Sequence, residues 1–228
     1  SPLDQVHLGN MTLGDLSDGV GTRSSLRCLV VDCGGVTNED ANLKGTIAER
    51  VPAELKESAG KIAKDQWNIF RDDPNASKAS FWSAVCKGLD ISEDLASEMD
   101  SQICATLRTT FPETLAVLRR AKANGVVLGM VSNHIRFWFD ECAHTSGLAE
   151  LMPNELIVVS NEVACSKPSA KIFEVFLERL RNLHPDLQAH DCIFVDDKEA
   201  NVAAAAALGF KTLHYDARKS APGDLEGA

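Results

Sequence analysis

Asp32 in LVVDCGGV, the Ser132-Asn133 pair in LGMVSNH, Lys167 in ACSKP and the Asp196-Asp197 pair in CIFVDDKEAN each end or closely follow an apolar run. Three carboxylates brought close together repel one another, and each resists ionisation unless a cation lies between them. Hard oxygen ligands of this kind favour Mg2+, which keeps several waters and accepts a phosphate oxygen in its shell. With a phosphate present, Lys167 supplies a second positive charge, and the Ser132 hydroxyl with nearby backbone N–H groups supplies hydrogen bonds. Asp32 is then placed to attack phosphorus, and water releases the resulting aspartyl-phosphate. A dipeptide SN, a tripeptide SKP or a DD pair means little alone; their order and shared position after apolar runs make the set specific.

Positioning such a set requires neighbouring strands. The runs Leu26 to Val31, Val126 to Val131, Leu156 to Val159, Cys192 to Val195 and Lys211 to His214 read as short strands, most of them buried on both faces. Helical patterns alternate with them, the strongest over Ser169 to Asn182, where Ile172, Phe173, Phe176, Leu177 and Leu180 form one apolar stripe. This alternation predicts an α/β protein with a Rossmann-like parallel sheet, in which ligands sit beyond the carboxyl ends of the strands. Residues 39–110 are rich in Ala, Glu, Lys and Ser at helical spacing without a convincing strand, so an inserted all-helical unit is expected there. The core is expected over residues 26–38 and 111–228, and residues 1–25 read as an irregular tail. Trp67, Phe70, Phe81 and Trp82 are expected mainly to pack the inserted helices, with a substrate-facing role as the alternative.

The 228 residues, 44% of them hydrophobic, suffice for a full core and a second unit. A net charge of −10 argues against nucleic-acid binding, which rests on clustered Lys and Arg. There is no apolar run of membrane-spanning length and no basic-then-apolar start, so a soluble, cytoplasmic protein is expected. Seven scattered cysteines without CxxC spacing point to reduced, buried thiols, Cys33 beside Asp32 included. Oligomeric state is left open.

From Leu26 to Tyr215 the chain resembles the haloacid dehalogenase (HAD) superfamily of hydrolases, matching its four motifs in order. The resemblance implies a nucleophile at Asp32, phosphate binding by Ser132, Asn133 and Lys167, and Mg2+ held by Asp32, the Gly34 carbonyl, Asp196 and Asp197. Asp197 corresponds to the inner-shell ligand and Asp196 to one acting through water; Asn201 continues the fourth motif. The stretch 39–110 is similar to the helical cap of the family.

One position departs from the pattern. Phosphatases of the family usually carry a second aspartate two residues after the nucleophile as general acid, and this chain has Gly34. His134 is a candidate replacement, an ordinary loop residue being the plainer reading, and restoring an aspartate at position 34 is expected to raise activity. The resemblance implies a phosphatase for a small phosphomonoester such as a sugar phosphate. A carbon–halogen hydrolase and a catalytically weakened binding protein are the alternatives.

Overall fold

The computed structural model describes residues 26–219, so the expected tail over 1–25 lies outside the described residues. Strands β1 (Cys28–Val31), β2 (Val127–Ser132), β3 (Ile157–Val159), β4 (Cys192–Asp196) and β5 (Lys211–His214) form one sheet in the order β3-β2-β1-β4-β5. Every pairing is parallel, and Val31 of β1 lies opposite Met130 on one side and Val195 on the other.

The continuous apolar runs follow from burial on both faces. Leu29 and Val31 enter one core cluster, whereas Cys28 and Val30 enter the other, as the two-residue period of a strand requires. On the second face lies α9 (Ala170–Leu183), which buries Ile172, Phe173, Phe176 and Leu180 and is capped by the Ser169 hydroxyl. It is joined there by α10 (Glu199–Ala207), which buries Ala205. On the first face pack α5 (Pro112–Ala123), α6 (Arg136–Ser146) and the four-residue α7 (Leu148–Leu151). Pro112 opens α5 at a position where its missing N–H costs no hydrogen bond. A short α8 (Ser160–Val163) follows β3.

Between β1 and β2 the chain forms α1 (Leu43–Ala48), α2 (Lys56–Phe70), α3 (Lys78–Leu89) and α4 (Ala96–Leu107) before α5. The two ends of this stretch meet through a bridge between Asn38 and Thr110 and through Asn38 Nδ2 donating to Leu107 O at 3.0 Å. Ser77 and Ser80 cap α3 reciprocally. Phe70, Phe81 and Trp82 are buried as packing residues, in line with their spacing. Trp138 of α6 meets Phe81 edge-on at 4.9 Å and donates its indole N–H to Asp100 of α4 at 2.8 Å, fastening the inserted helices to the sheet layer. Among the described residues no helix is long and apolar enough to cross a membrane.

Candidate active site

From β1 the chain builds β2 and β3 on one side of the sheet, then returns to build β4 and β5 on the other. The order therefore reverses between β1 and β4, the place where a parallel sheet leaves a crevice at its carboxyl edge. Asp32 follows β1 there and donates its N–H to Val195 O at 2.9 Å, while Asp196 ends β4 and Ser132 ends β2.

Lys167 precedes α9 and is fully buried. Its ammonium lies 2.9 Å from Asp32 Oδ1 and 2.6 Å from Asp196 Oδ2, and donates to Val131 O at 2.7 Å. Those three partners use its three protons. Asn133 holds the lysine by its backbone, accepting the Lys167 N–H at 2.7 Å and donating to the Lys167 carbonyl at 2.9 Å. The side chain expected to bind phosphate is thus occupied in placing the lysine.

The adjacent acids differ sharply. Asp196 accepts from Lys167, from Asn201 Nδ2 at 2.9 and 3.0 Å, and from the Lys198 N–H at 2.8 Å. Asp197 has Oδ2 on Arg218 at 2.7 Å, but its Oδ1 is buried without a hydrogen-bond partner. Ser132 Oγ is likewise buried and unpartnered. Ligand oxygens of Asp32, Asp196 and Asp197 lie within 4.8 Å of one another. A carboxylate oxygen without a hydrogen-bond donor, with only the Lys198 ammonium at 3.7 Å, within an all-oxygen cluster fits a hard divalent cation such as Mg2+.

The electrostatics express the crowding. Burial opposes ionisation of Asp32, yet the charges of Lys167 and Lys198 and hydrogen bonds from Lys167 and the Cys33 N–H hold its carboxyl below the ordinary value. Burial and the Asp32 charge push Asp196 up to about 6 against the pull of Lys167. Asp197 is raised by burial, then by Asp32 and Asp40, with Lys198 and Arg218 opposing.

Gly34 and Gly35 let the chain turn under the cluster. Gly35 adopts φ 75°, and a side chain there would strike Asp197 and Arg218. The chain then doubles back through a Gly34–Asn38 bridge and a 2.8 Å bond from Gly35 N–H to Asn38 O. This return delivers Asp40 into the room that a side chain on residue 34 would fill: a Cβ built on Gly34 would overlap Asp40 Oδ1 and lie 3.0 Å from Cγ. Arg218 holds the other oxygen, Oδ2, at 3.1 Å.

A cavity of about 710 Å³ opens above these groups, lined at its base by Asp32, Gly34, Asp40, Lys167, Lys198 and Asn201. Asn133 and His134 also line it, but the His134 ring nitrogens face the Ile135 N–H at 3.1 Å and Cys142 Sγ at 3.9 Å. The structure thus brings Asp32, Lys167, Asp196, Asp197 and Asn201 together and leaves His134 engaged elsewhere. Sequence reasoning missed Asp40, Arg218 and Lys198. Lys198 was readable as the charge directly after the acidic pair; Asp40 and Arg218 carry no motif.

A buried lysine and an acidic cluster thus meet at the switch point of a parallel α/β core. The model of the haloacid dehalogenase-like hydrolase family matches residues 29–209, and the chain belongs to that family. Among solved structures, the HAD family enzyme bt-2542 of Bacteroides thetaiotaomicron, in complex with magnesium and inorganic phosphate, superposes with TM-score 0.64. It is 18% identical, over 86% of this chain and 96% of that one. A dehalogenase superposes with TM-score 0.60 at 16% identity over 87% of this chain and 88% of that one. At such identities these likenesses concern the fold. A curated relative, Acyl-CoA dehydrogenase family member 10 of Mus musculus, is 27% identical over 121 residues, 51% of this chain. The match spans only 10% of the length of that protein.

Proposed function

We propose that the chain is a Mg2+-dependent phosphatase acting on a small phosphomonoester, with the helices of residues 39–110 as a cap over the site. The observation that carries this reading is the pairing of bare and satisfied groups. Lys167 is locked between Asp32 and Asp196, while Asp197 Oδ1 and Ser132 Oγ, an acceptor and a donor, have no hydrogen-bond partner, the Lys198 ammonium standing 3.7 Å from Asp197 Oδ1. A cation answers the first and a phosphate oxygen the second.

Asp32, the Gly34 carbonyl and Asp197 would hold the metal, with Asp196 acting through water because its own oxygens are already taken. When bound, Mg2+ offsets the negative charge of the cluster and of the phosphate. Lys167 draws the incoming phosphate toward the floor of the cavity, and Ser132 Oγ and backbone N–H groups after β2 orient it. Asp32, kept ionised by Lys167, attacks phosphorus; the ester P–O bond breaks and its electron pair leaves with the substrate oxygen. Asp40 takes the place of the missing second aspartate: it enters the step in its protonated form and gives that proton to the departing oxygen. Water then hydrolyses the aspartyl-phosphate, returning a proton to Asp40 and freeing Asp32.

A carbon–halogen hydrolase requires no cation, and the Asp196-Asp197 pair beside Asp32 speaks against it. The assay is hydrolysis of p-nitrophenyl phosphate with and without Mg2+. Turnover that needs Mg2+ and vanishes in Asp32→Asn is expected; metal-independent halide release from a 2-haloacid, without phosphatase activity, would overturn the reading.

A further inference from the structure

We infer that the outer wall of the cavity is a second anion site, so that the substrate is a phosphomonoester bearing another negative group, carboxylate or phosphate. The inference rests on the phosphatase reading only for the end that reacts. Lys44, Lys64 and Arg71 line this wall with Trp67, an accumulation of positive charge in a chain of net charge −10. Of the other cations of the inserted helices, Arg50 pairs with Glu98 at 3.0 Å, Lys78 with Asp100 at 3.0 Å and Arg108 with Glu141 at 2.7 Å, whereas Lys56 and Lys87 have no ion pair among the described residues and do not line the cavity. Among the described residues, Lys44, Lys64 and Arg71 have no carboxylate partner.

Arg71 gives the wall its fixed point. Its Nε is buried with no acceptor, an arrangement that a protein rarely maintains without a partner from outside. The backbone there is tied to the core, since the Arg71 carbonyl accepts Ser160 Oγ at 2.6 Å. The neighbouring carboxylate forms no ion pair with it among the described residues: Asp72 Oδ2 accepts Ser166 Oγ at 3.1 Å, one residue before Lys167, and Asp72 Oδ1 is buried without a hydrogen-bond partner. The arginine and the lysine of the floor therefore sit on segments joined to each other. Lys44 lies across α2 at Gly60, where a Cβ would come within 2.8 Å of its Cε. Between these cations Trp67 is held edge-on to His134 at 5.8 Å and stacked on Trp138 at 6.3 Å, a firm flat surface for the body of a ligand. The floor recognises the phosphate that reacts, and the wall recognises a charge at the other end.

The test is calorimetric titration of Mg2+-loaded Asp32→Asn protein with 3-phosphoglycerate and with glycerol 3-phosphate, which differ by a carboxylate. About tenfold tighter binding of 3-phosphoglycerate is expected for partly buried charge-assisted contacts. Lys64→Glu and Arg71→Gln should each weaken 3-phosphoglycerate more than glycerol 3-phosphate and so reduce that preference, and Arg71→Lys should restore part of it. Fructose 1,6-bisphosphate against fructose 6-phosphate tells whether phosphate substitutes for carboxylate. Equal affinities within both pairs, or a preference that Lys64→Glu does not touch, overturn the inference. The two readings fail separately. Wild-type hydrolysis of p-nitrophenyl phosphate without any preference removes the anion site alone, whereas a preference without turnover of any ester removes the phosphatase alone.

Discussion

Whether Asp40 replaces the missing general acid is decided by moving one carboxylate between two positions. In Asp40→Ala the leaving oxygen loses its proton donor, which is worth roughly 10² to 10⁴ in rate, or about 3 to 5 kcal/mol of barrier. The loss should fall on kcat/KM for alkyl phosphates and be far smaller for p-nitrophenyl phosphate, whose leaving group needs little protonation. Gly34→Asp, expected from sequence to raise activity, is predicted here to lower it. A Cβ on residue 34 overlaps Asp40 Oδ1 and stands 3.0 Å from its Cγ, inside the roughly 3.5 to 4 Å of carbon–carbon contact. The new side chain must displace Asp40 from Arg218 and add a second carboxylate to the same small space.

Combining the changes removes the conflict. Gly34→Asp with Asp40→Ala keeps one carboxylate, supplied from residue 34, and should recover at least about tenfold of the alkyl-phosphate rate lost in Asp40→Ala. That is a coupling of about 1.4 kcal/mol or more between the two positions. The assay is steady-state kcat/KM of the four proteins across esters of graded leaving-group pKa; kcat/KM ends at departure of the leaving group and is blind to the later hydrolysis. An equal loss on all esters in Asp40→Ala, or faster alkyl-phosphate hydrolysis in Gly34→Asp with Asp40 intact, would refute the assignment.

Lys167→Met strands Asp32 and Asp196 without a counter-charge, so the metal-free protein should lose about 3 to 5 kcal/mol in urea unfolding, part of it recovered by Mg2+. In calorimetry, Asp197→Asn should weaken Mg2+ binding more than Asn201→Ala, which only frees Asp196 and should cost about 10- to 100-fold; the reverse order would contradict the ligand assignment. Asp196 faces Asp32, Lys167, Asn201 and the Lys198 backbone, and its pKa of about 6 lies above its unfolded value. Its share of metal-free stability is therefore complete below the unfolded value and lost as pH rises through about 6. Mg2+ affinity should run the opposite way, rising through about pH 6 and levelling above it, with a proton released on binding at pH 5 and almost none at pH 7.5.

The parts of this arrangement legible in sequence are those in which one residue follows directly from a neighbour. Burial on both faces writes a strand as an unbroken apolar run, and Asp32, Ser132 and the Asp196-Asp197 pair stand directly at the ends of such runs. Their convergence then depends only on the parallel order of the strands. Asp40 is different. Its place depends on the Gly34–Asn38 bridge and on Asn38 reaching Leu107, contacts between segments whose separation no local pattern encodes. Asn133 is a related case: its side-chain amide holds the backbone of Lys167, 34 residues away, a second task that no local pattern encodes. The same holds between Asp196 and Asp197, alike in sequence and separated in the fold by whether Lys167, Asn201 and the Lys198 N–H have saturated their oxygens. A motif therefore locates the charges of this site, whereas the role of each charge is set by the hydrogen bonds left over after the loops have closed, and that remainder exists only in three dimensions.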